Sequence, residues 1–348
     1  MNRLKMAVVG VGALGRHHAR ILSEHPGVEL IGVVDSHPDR GQDIAKKCGC
    51  EWIADYRQLT GRVEAVSVVV PTVAHRTVAG FFLEQGIPVL VEKPIAANLA
   101  DAQALVSLAD QQGCVLQVGH IERFNPAWQA ARPHLKSPKY LRCERTSTYT
   151  FRSTDIGVVL DLMIHDLDLV LSVVPSAVSR VEAFGMGVMG GHEDAVQARL
   201  YFENGTIADI TASRIHPTVS RSMQTWSPEG CLTVDLHERK VTRYAPSDVL
   251  RNGPAPVELS RQVNANLEEL KSQVFGHFIN VETIDVPAPA ADALTQELQE
   301  FVHCVHTGAT PSVDGQQGLR AITVAHQVLE SVAAHSWHGQ RPAVRRAA

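Results

Sequence analysis

The chain has 348 residues, 45% hydrophobic and 20% charged, with a formal net charge of −5. That length exceeds what a single core usually supports and points to two domains; the mild acidity excludes a general affinity for nucleic acid. No apolar run reaches the ~20 residues of a membrane span, so a cytoplasmic, membrane-free protein is expected.

The opening LKMAVV, residues 4–9, reads as a buried strand. GVGALG follows at once, a better account of the short apolar start than a signal peptide. It places Gly10, Gly12 and Gly15 in the G-x-G-x-x-G spacing, with Ala13 and Leu14 inside the turn. A helical pattern through His18, Ile21 and Leu22 comes next, and a second strand, VELIGVVD, ends in Asp35, 20 residues beyond Gly15. Strand, glycine turn, helix and acidic residue together make a dinucleotide-binding signature. The glycines allow the tight turn, the approach of a pyrophosphate and close helix packing, while the helix N-terminus offers free N–H groups. Asp35 would accept hydrogen bonds from the adenosine ribose and repel a 2′-phosphate, favouring NAD over NADP. Arg40, nearby in sequence, weakens that preference.

Six cysteines are scattered, and only Cys48 and Cys50 are close, spaced C-x-C. Zinc needs about four ligands in paired spacings, so free, mostly buried thiols and no metal are expected.

Strands and helices keep alternating: strand 65–70, a helix closing at Gly86, strand 87–92, a helix opened by Asn98 and closed by Gly113, and strand 114–120. This predicts a doubly wound parallel sheet, with its ligand beyond the C-terminal strand ends. Those ends bring Pro71, Thr72, Glu92, Lys93 and His120 toward the glycine turn, and His75 follows the Pro71-Thr72 end. Pro71, Thr72, His75, Glu92 and Lys93 join Asp35 and Arg40 as candidate cofactor-binding residues. Lys93 is held extended by Pro94; the plainer alternative is a surface ammonium.

After His120 the rhythm stops. IERFNPAW leads away, carrying Glu122, Arg123 and Asn125. A strand-like stretch, 140–152, ends at Arg152. Later strands, with a hairpin signal at Asn204-Gly205, predict a mostly antiparallel open sheet. Residues 246–290 give no clear pattern, and helices are expected over 292–308 and 317–335. The expected division is a Rossmann domain, 1–121, and an α+β domain for substrate binding and oligomerisation, 122–340.

Between these strands lies an apolar helix containing DLMIHDLDL, residues 161–169. Asp161, His165, Asp168 and Ser172 fall on one face at helical spacing. Charges in an apolar setting are costly unless paired or functional. Asp161 can orient His165, and His165 can then exchange a proton with a ligand. The alternative is a buried pair that only satisfies itself. Asp166 lies off this stripe and reads as an ordinary helix-surface group.

The motifs GVGALGRHH, EKPIA and Asp161-x-x-x-His165, in this order, resemble the glucose-fructose oxidoreductase / inositol dehydrogenase / rhizopine-catabolism (Gfo/Idh/MocA) family of NAD(P)-dependent oxidoreductases acting on sugar CH–OH groups. The resemblance implies a catalytic group of Lys93, Asp161 and His165, and a cis bond between Lys93 and Pro94. VGHIERFNPA and VVLDLMIHDLDLVL look like the branch that oxidises the 3-hydroxyl of UDP-N-acetylglucosamine in 2,3-diamino lipid A synthesis. There the keto product passes to an aminotransferase. On that likeness His120, Glu122, Arg123, Asn125, Arg152, Asp161, His165 and Asp168 are candidate substrate-binding residues, with Arg123, Arg145 and Arg152 as positive charges for the diphosphate. A homodimer or homotetramer is expected. The alternatives are a dehydrogenase of a free polyol or hexose, and a non-catalytic NAD-binding sensor or scaffold.

Overall fold

The computed structural model describes residues 3–151, 154–289 and 291–335. Arg152 and the last residues of the expected second domain lie outside them. Two compact units form from the described residues of Met1–Phe124 with Ala290–Gln327, and of Asn125–Pro289 with Val328–Ala348.

In the first unit, β1 (Leu4–Val9), β2 (Val28–Val34), β3 (Glu51–Ile53), β4 (Ala65–Val68), β5 (Val89–Glu92) and β6 (Leu116–Gly119) make one sheet in the order β3-β2-β1-β4-β5-β6. Every pairing is parallel. The order reverses between β1 and β4, the point where such sheets bind ligands. The intervening helices are α1 (Gly15–Glu24), α2 (Pro38–Cys48), α3 (His75–Leu83) and α4 (Leu99–Gln112). The expected boundaries of α4 are met physically: Asn98 caps its start by accepting from the Asp101 N–H, and Gly113 ends it in the left-handed region at φ 61°. The three-residue β3 has no sequence signal of its own.

The first segment of this unit runs to Phe124, but the unit is not one continuous stretch. Later in the chain, α10 (Ala293–Thr307) returns to it, with Leu298, Phe301 and Val302 buried among Met6, Val8, Ile21 and Leu22. An apolar helical face must be covered, and the sheet and α1 cover this one. The helix α11 (Gly315–Ala334) follows, and its residues through Gln327 belong to the same unit.

In the second unit, α5 (Pro126–Ala131) leads to β7 (Tyr140–Thr146). A helical segment follows, ending in α6 (Ile164–Val173). Next come β8 (Val178–Met186), β9 (Ala195–Phe202), β10 (Ile207–Ser213), β11 (Ser220–Ser227), β12 (Gly230–Asp235) and β13 (Lys240–Pro246). Three short helices, α7 (Asp248–Asn252), α8 (Pro256–Leu259) and α9 (Leu267–Ser272), precede β14 (Ile279–Ile284). The sheet runs β14-β13-β12-β11-β7-β10-β9-β8. It is antiparallel except for β10 against β7. The strand β11 has no clear sequence signal, because six of the eight residues of SRSMQTWS are polar and its two apolar residues, Met223 and Trp226, do not alternate.

One expectation is overturned here. Asp166 is not a surface group: it is 1% exposed, and Arg145, 3% exposed on β7, holds it with two hydrogen bonds of 2.8 and 2.9 Å. Arg145 is thereby committed to the α6–β7 packing.

Breaking a buried ion pair from one side costs about 3–5 kcal/mol, whereas replacing both partners by apolar groups is often neutral. Arg145→Met should therefore destabilise the protein by that order in urea unfolding. The double variant Arg145→Met/Asp166→Leu should recover most of the loss. A loss of about 1 kcal/mol or less for the single variant, typical of an exposed pair, would contradict this account.

Candidate active site

The glycine turn is built by close approach. Gly10 has φ 89°, and a Cβ there would lie 2.4 Å from the Val69 carbonyl oxygen; a Cβ on Gly15 would lie 1.9 Å from the carbonyl oxygen of Gly10. No other residue fits either position. At Gly12, by contrast, a Cβ would meet nothing within 4 Å, so this side of the turn faces open space. Ala13 and Leu14 are exposed beside it, and α1 starts with no side-chain cap. An uncapped helix start facing open space over a glycine turn fits a pyrophosphate.

Asp35 sits just past the C-terminal end of β2. Its Oδ2 accepts from the Val11 N–H at 3.0 Å and from Arg40 Nε at 2.9 Å; its Oδ1 accepts from the His37 N–H at 2.9 Å and Arg40 Nη2 at 2.7 Å. Burial pushes the carboxyl up, but Arg40 and the two N–H groups outweigh it and hold the group below the usual range. Asp35 is thus ionised and placed beside the glycine turn, as a ribose-binding carboxylate must be.

Pro71 and Thr72 lie at the turn after β4. His75 is 1% exposed, with Nδ1 2.9 Å from the Pro94 carbonyl oxygen and Nε2 3.0 Å from that of Val70. Burial pushes its pKa down further than its hydrogen bonds and Glu92 raise it, so the neutral ring donates to one of the two carbonyls. His75 ties the turn after β4 to the turn after β5. That second turn carries Lys93, half-buried, and the Lys93–Pro94 bond is cis, as expected. Glu92 folds back beneath it: Oε2 accepts from the Lys93 N–H at 3.3 Å, and Oε1 lies 3.2 Å from Nε2 of the fully buried His18. Gly119 makes room, since a Cβ there would lie 2.9 Å from the Glu92 carboxyl carbon. His120 and Glu122 follow, both buried, and Arg123 donates to Gln317 Oε1 at 2.7 Å.

In the second unit Asn125 caps α5, accepting from the Ala127 N–H at 3.0 Å and donating to the Leu236 carbonyl at 3.0 Å. The helix with Asp161 and His165 does not start as an α-helix. Val159–Met163 is a π turn, in which the Ile164 N–H reaches back to Val159. Such turns recur at functional sites. Here it leaves Asp161 half-buried ahead of α6, where His165 and Asp168 are buried. The simple i, i+4 stripe is therefore distorted at its first member. Ser172 turns to its own helix, donating to the Leu169 carbonyl. Glu193 seats the N-terminal end of this helix by accepting from the Val159 N–H at 3.2 Å, and burial pushes its carboxyl up. Nothing in the sequence marked Glu193 or the π turn.

Among the described residues no His, Cys, Asp or Glu cluster could hold a metal ion. All six cysteines are free, with only Cys143 and Cys304 fully buried. No described helix is long and apolar enough to cross a membrane.

Residues 4–120 match the oxidoreductase family with an NAD-binding Rossmann fold, and residues 117–231 the GFO/IDH/MocA C-terminal domain. The chain is 31% identical over 335 residues to UDP-N-acetylglucosamine 3-dehydrogenase of Acidithiobacillus ferrooxidans, covering 96% of this chain and 99% of that enzyme. The chain belongs to the GFO/IDH/MocA oxidoreductase family. A solved structure of the same A. ferrooxidans enzyme matches with a TM-score of 0.82 at 30% identity, over 95% of this chain and 98% of that one. The scyllo-inositol 2-dehydrogenase (NAD(+)) of Bacillus subtilis is 28% identical over 62% of this chain and 69% of its own. Membership agrees with the Rossmann sheet, the second open sheet and NAD as cofactor.

Asp35→Ser should relax cofactor choice, because it removes the carboxylate and releases Arg40. A charge-assisted hydrogen bond is worth about 1.5–3 kcal/mol, or about tenfold and more in binding. The ratio of NADP to NAD dissociation constants, read by fluorescence titration, should fall by that factor. An unchanged ratio would mean that Asp35 does not meet the ribose.

Proposed function

We propose that the protein is an NAD-dependent dehydrogenase oxidising the 3-hydroxyl of UDP-N-acetylglucosamine to the 3-keto sugar nucleotide. The observation carrying this reading is the end-to-end match to UDP-N-acetylglucosamine 3-dehydrogenase, 96% of this chain at 31% identity, against 62% for the inositol enzyme. Oxidation of a free polyol or hexose is the second reading, favoured by that inositol relative.

The reaction removes a hydride from the carbinol carbon and a proton from its oxygen. Bound NAD accepts the hydride. The glycine turn and the uncapped start of α1 take its pyrophosphate, and Asp35 takes its ribose. His165 removes the hydroxyl proton, with Asp161 orienting the ring. Lys93 donates a hydrogen bond to the same oxygen as negative charge develops on it. The opposite assignment makes Lys93 the base. These roles rest on family membership and on each residue's place in its own unit: Lys93 at a strand end beside the glycine turn, His165 buried in the helix after the π turn. His120, Glu122, Arg123, Asn125 and Asp168 stay in the proposed substrate set, although Arg123 and Asn125 already hold protein partners. The keto product is a substrate for an aminotransferase, and we propose a homodimer or homotetramer as the working form.

Protein mixed with NAD and UDP-N-acetylglucosamine should give NADH and a 3-keto sugar nucleotide. Alcohol oxidation by NAD is uphill near neutral pH, so the yield should rise when an aminotransferase removes the ketone. His165→Asn should abolish product while keeping the fold. Lys93→Met should keep NAD affinity and lose about 10²-fold or more in turnover. If no keto product forms even with the trap, while a free polyol is oxidised readily, the inositol-type reading replaces this one.

A further inference from the structure

The first unit holds a carboxyl group that neither the cofactor nor the proposed chemistry uses. Glu297 on α10 is 0% exposed, and neither of its side-chain oxygens has a hydrogen-bond partner among the described residues. The backbone is anchored: Gln117 Nε2 donates to the Glu297 carbonyl at 3.0 Å, while Gln117 Oε1, also buried, lacks a partner. Nearby, Glu92 stands between His18 and the Lys93 N–H, and Ser67 Oγ lies 2.9 Å from the other nitrogen of His18.

We propose that Glu297 is a neutral, proton-bearing acid that positions Lys93 through Glu92. This rests on the reading of Lys93 as functional. A bare carboxylate with no partner is far too costly in an apolar interior. Protonated, Glu297 carries one O–H donor, and the acceptors with spare capacity are Gln117 Oε1 and the Glu92 carboxylate. A second negative charge would repel Glu92 from the N–H of Lys93; a neutral neighbour lets Glu92 stay ionised and in place. Burial first, then the charges of Glu92 and Glu300, push Glu297 well above the usual carboxyl range. The other charged or titratable groups on the elements packed most closely against α10 are Arg16, His17, His18, Arg20 and Glu24 of α1, and Glu122 and Arg123 of the turn Ile121–Phe124. The folded-state pKa of Glu297 is raised. The stability it contributes is therefore complete below the ordinary carboxyl range and is lost as pH rises through the folded value.

The test uses NAD-bound full-length protein. Infrared spectra at neutral pH should show the carbonyl stretch of a buried carboxylic acid in wild type and not in Glu297→Gln. Amide hydrogen exchange should report the Lys93 N–H: protected in wild type and Glu297→Gln, which keeps a neutral donor, and faster in Glu297→Leu, which has none. If the sugar is oxidised, Glu297→Leu should lower kcat by about tenfold, one hydrogen bond's worth, with KM for NAD unmoved, and Glu297→Gln should recover most of it. Absence of the acid band in wild type overturns the proposal, as does equal Lys93 exchange in all three proteins. Should Glu297→Leu not fold, the infrared comparison and an alkaline loss of Lys93 protection, taken relative to the base-catalysed intrinsic exchange rate, that is present in wild type and absent in Glu297→Gln decide it. Failure of every sugar to react overturns the dehydrogenase reading instead, and leaves the infrared and exchange outcomes to judge Glu297.

Discussion

An ionised carboxylate cannot remain in a protein interior without donors, and that constraint organises both units of this chain. Asp35 is ringed by two main-chain N–H groups and Arg40. Asp166 is clamped by Arg145. Asp194, fully buried, takes the Val188 and Met189 N–H groups and Arg214. Each pairing fixes a piece of backbone: the turn after β2, the α6–β7 contact, and the loop between β8 and β9. The chemistry proposed above depends on these fixed pieces, because proton transfer and hydride transfer tolerate little error in position. Glu297 is the exception among these buried acids, which is why its protonation state carries information that theirs do not.

Much of the first unit was legible because its signals are local. A glycine that must adopt φ 89°, another with a carbonyl 1.9 Å from its missing Cβ, and Asn98 and Gly113 at the ends of α4 are each dictated by a few neighbouring residues. Asp35 was legible through its spacing, and Lys93 through its place at a strand end before proline. Asp161 and His165 stand out as candidates because charge is conspicuous in so apolar a helix.

What stayed hidden depends on distant partners. Asp166 looked solvent-facing because its cation, Arg145, is 21 residues away on a strand. The π turn over Val159–Met163 is marked by no distinctive residue in the sequence. The return of α10 to the first unit joins residues nearly 300 apart in sequence. Glu297 was half-visible. It shares a helical face with Leu294, Leu298 and Phe301, and a carboxyl on an apolar stripe asks for an explanation. The partners that would supply one, Gln117 and Glu92, lie in strands no local pattern connects to it.

The Asp35–Arg40 pair shows how magnitude decides between two readings of one geometry. All four acceptor positions of the carboxylate are taken, so ribose hydroxyls would have to displace a donor. The two main-chain N–H groups are fixed by the fold. Arg40 is different: its side chain is 45% exposed while that of Asp35 is 3% exposed, so water can solvate the guanidinium once its two donors leave the carboxylate. If Asp35 takes the ribose as proposed, the hydroxyl donors replace those of Arg40, and the freed guanidinium stays close by on α2 as a cation able to meet a 2′-phosphate. The same arginine that closes the ribose position on the free protein is thus the group best placed to blunt discrimination against NADP. On the proposed reading the carboxylate sets the preference for NAD, and the solvent access of its partner leaves room for that preference to be partial.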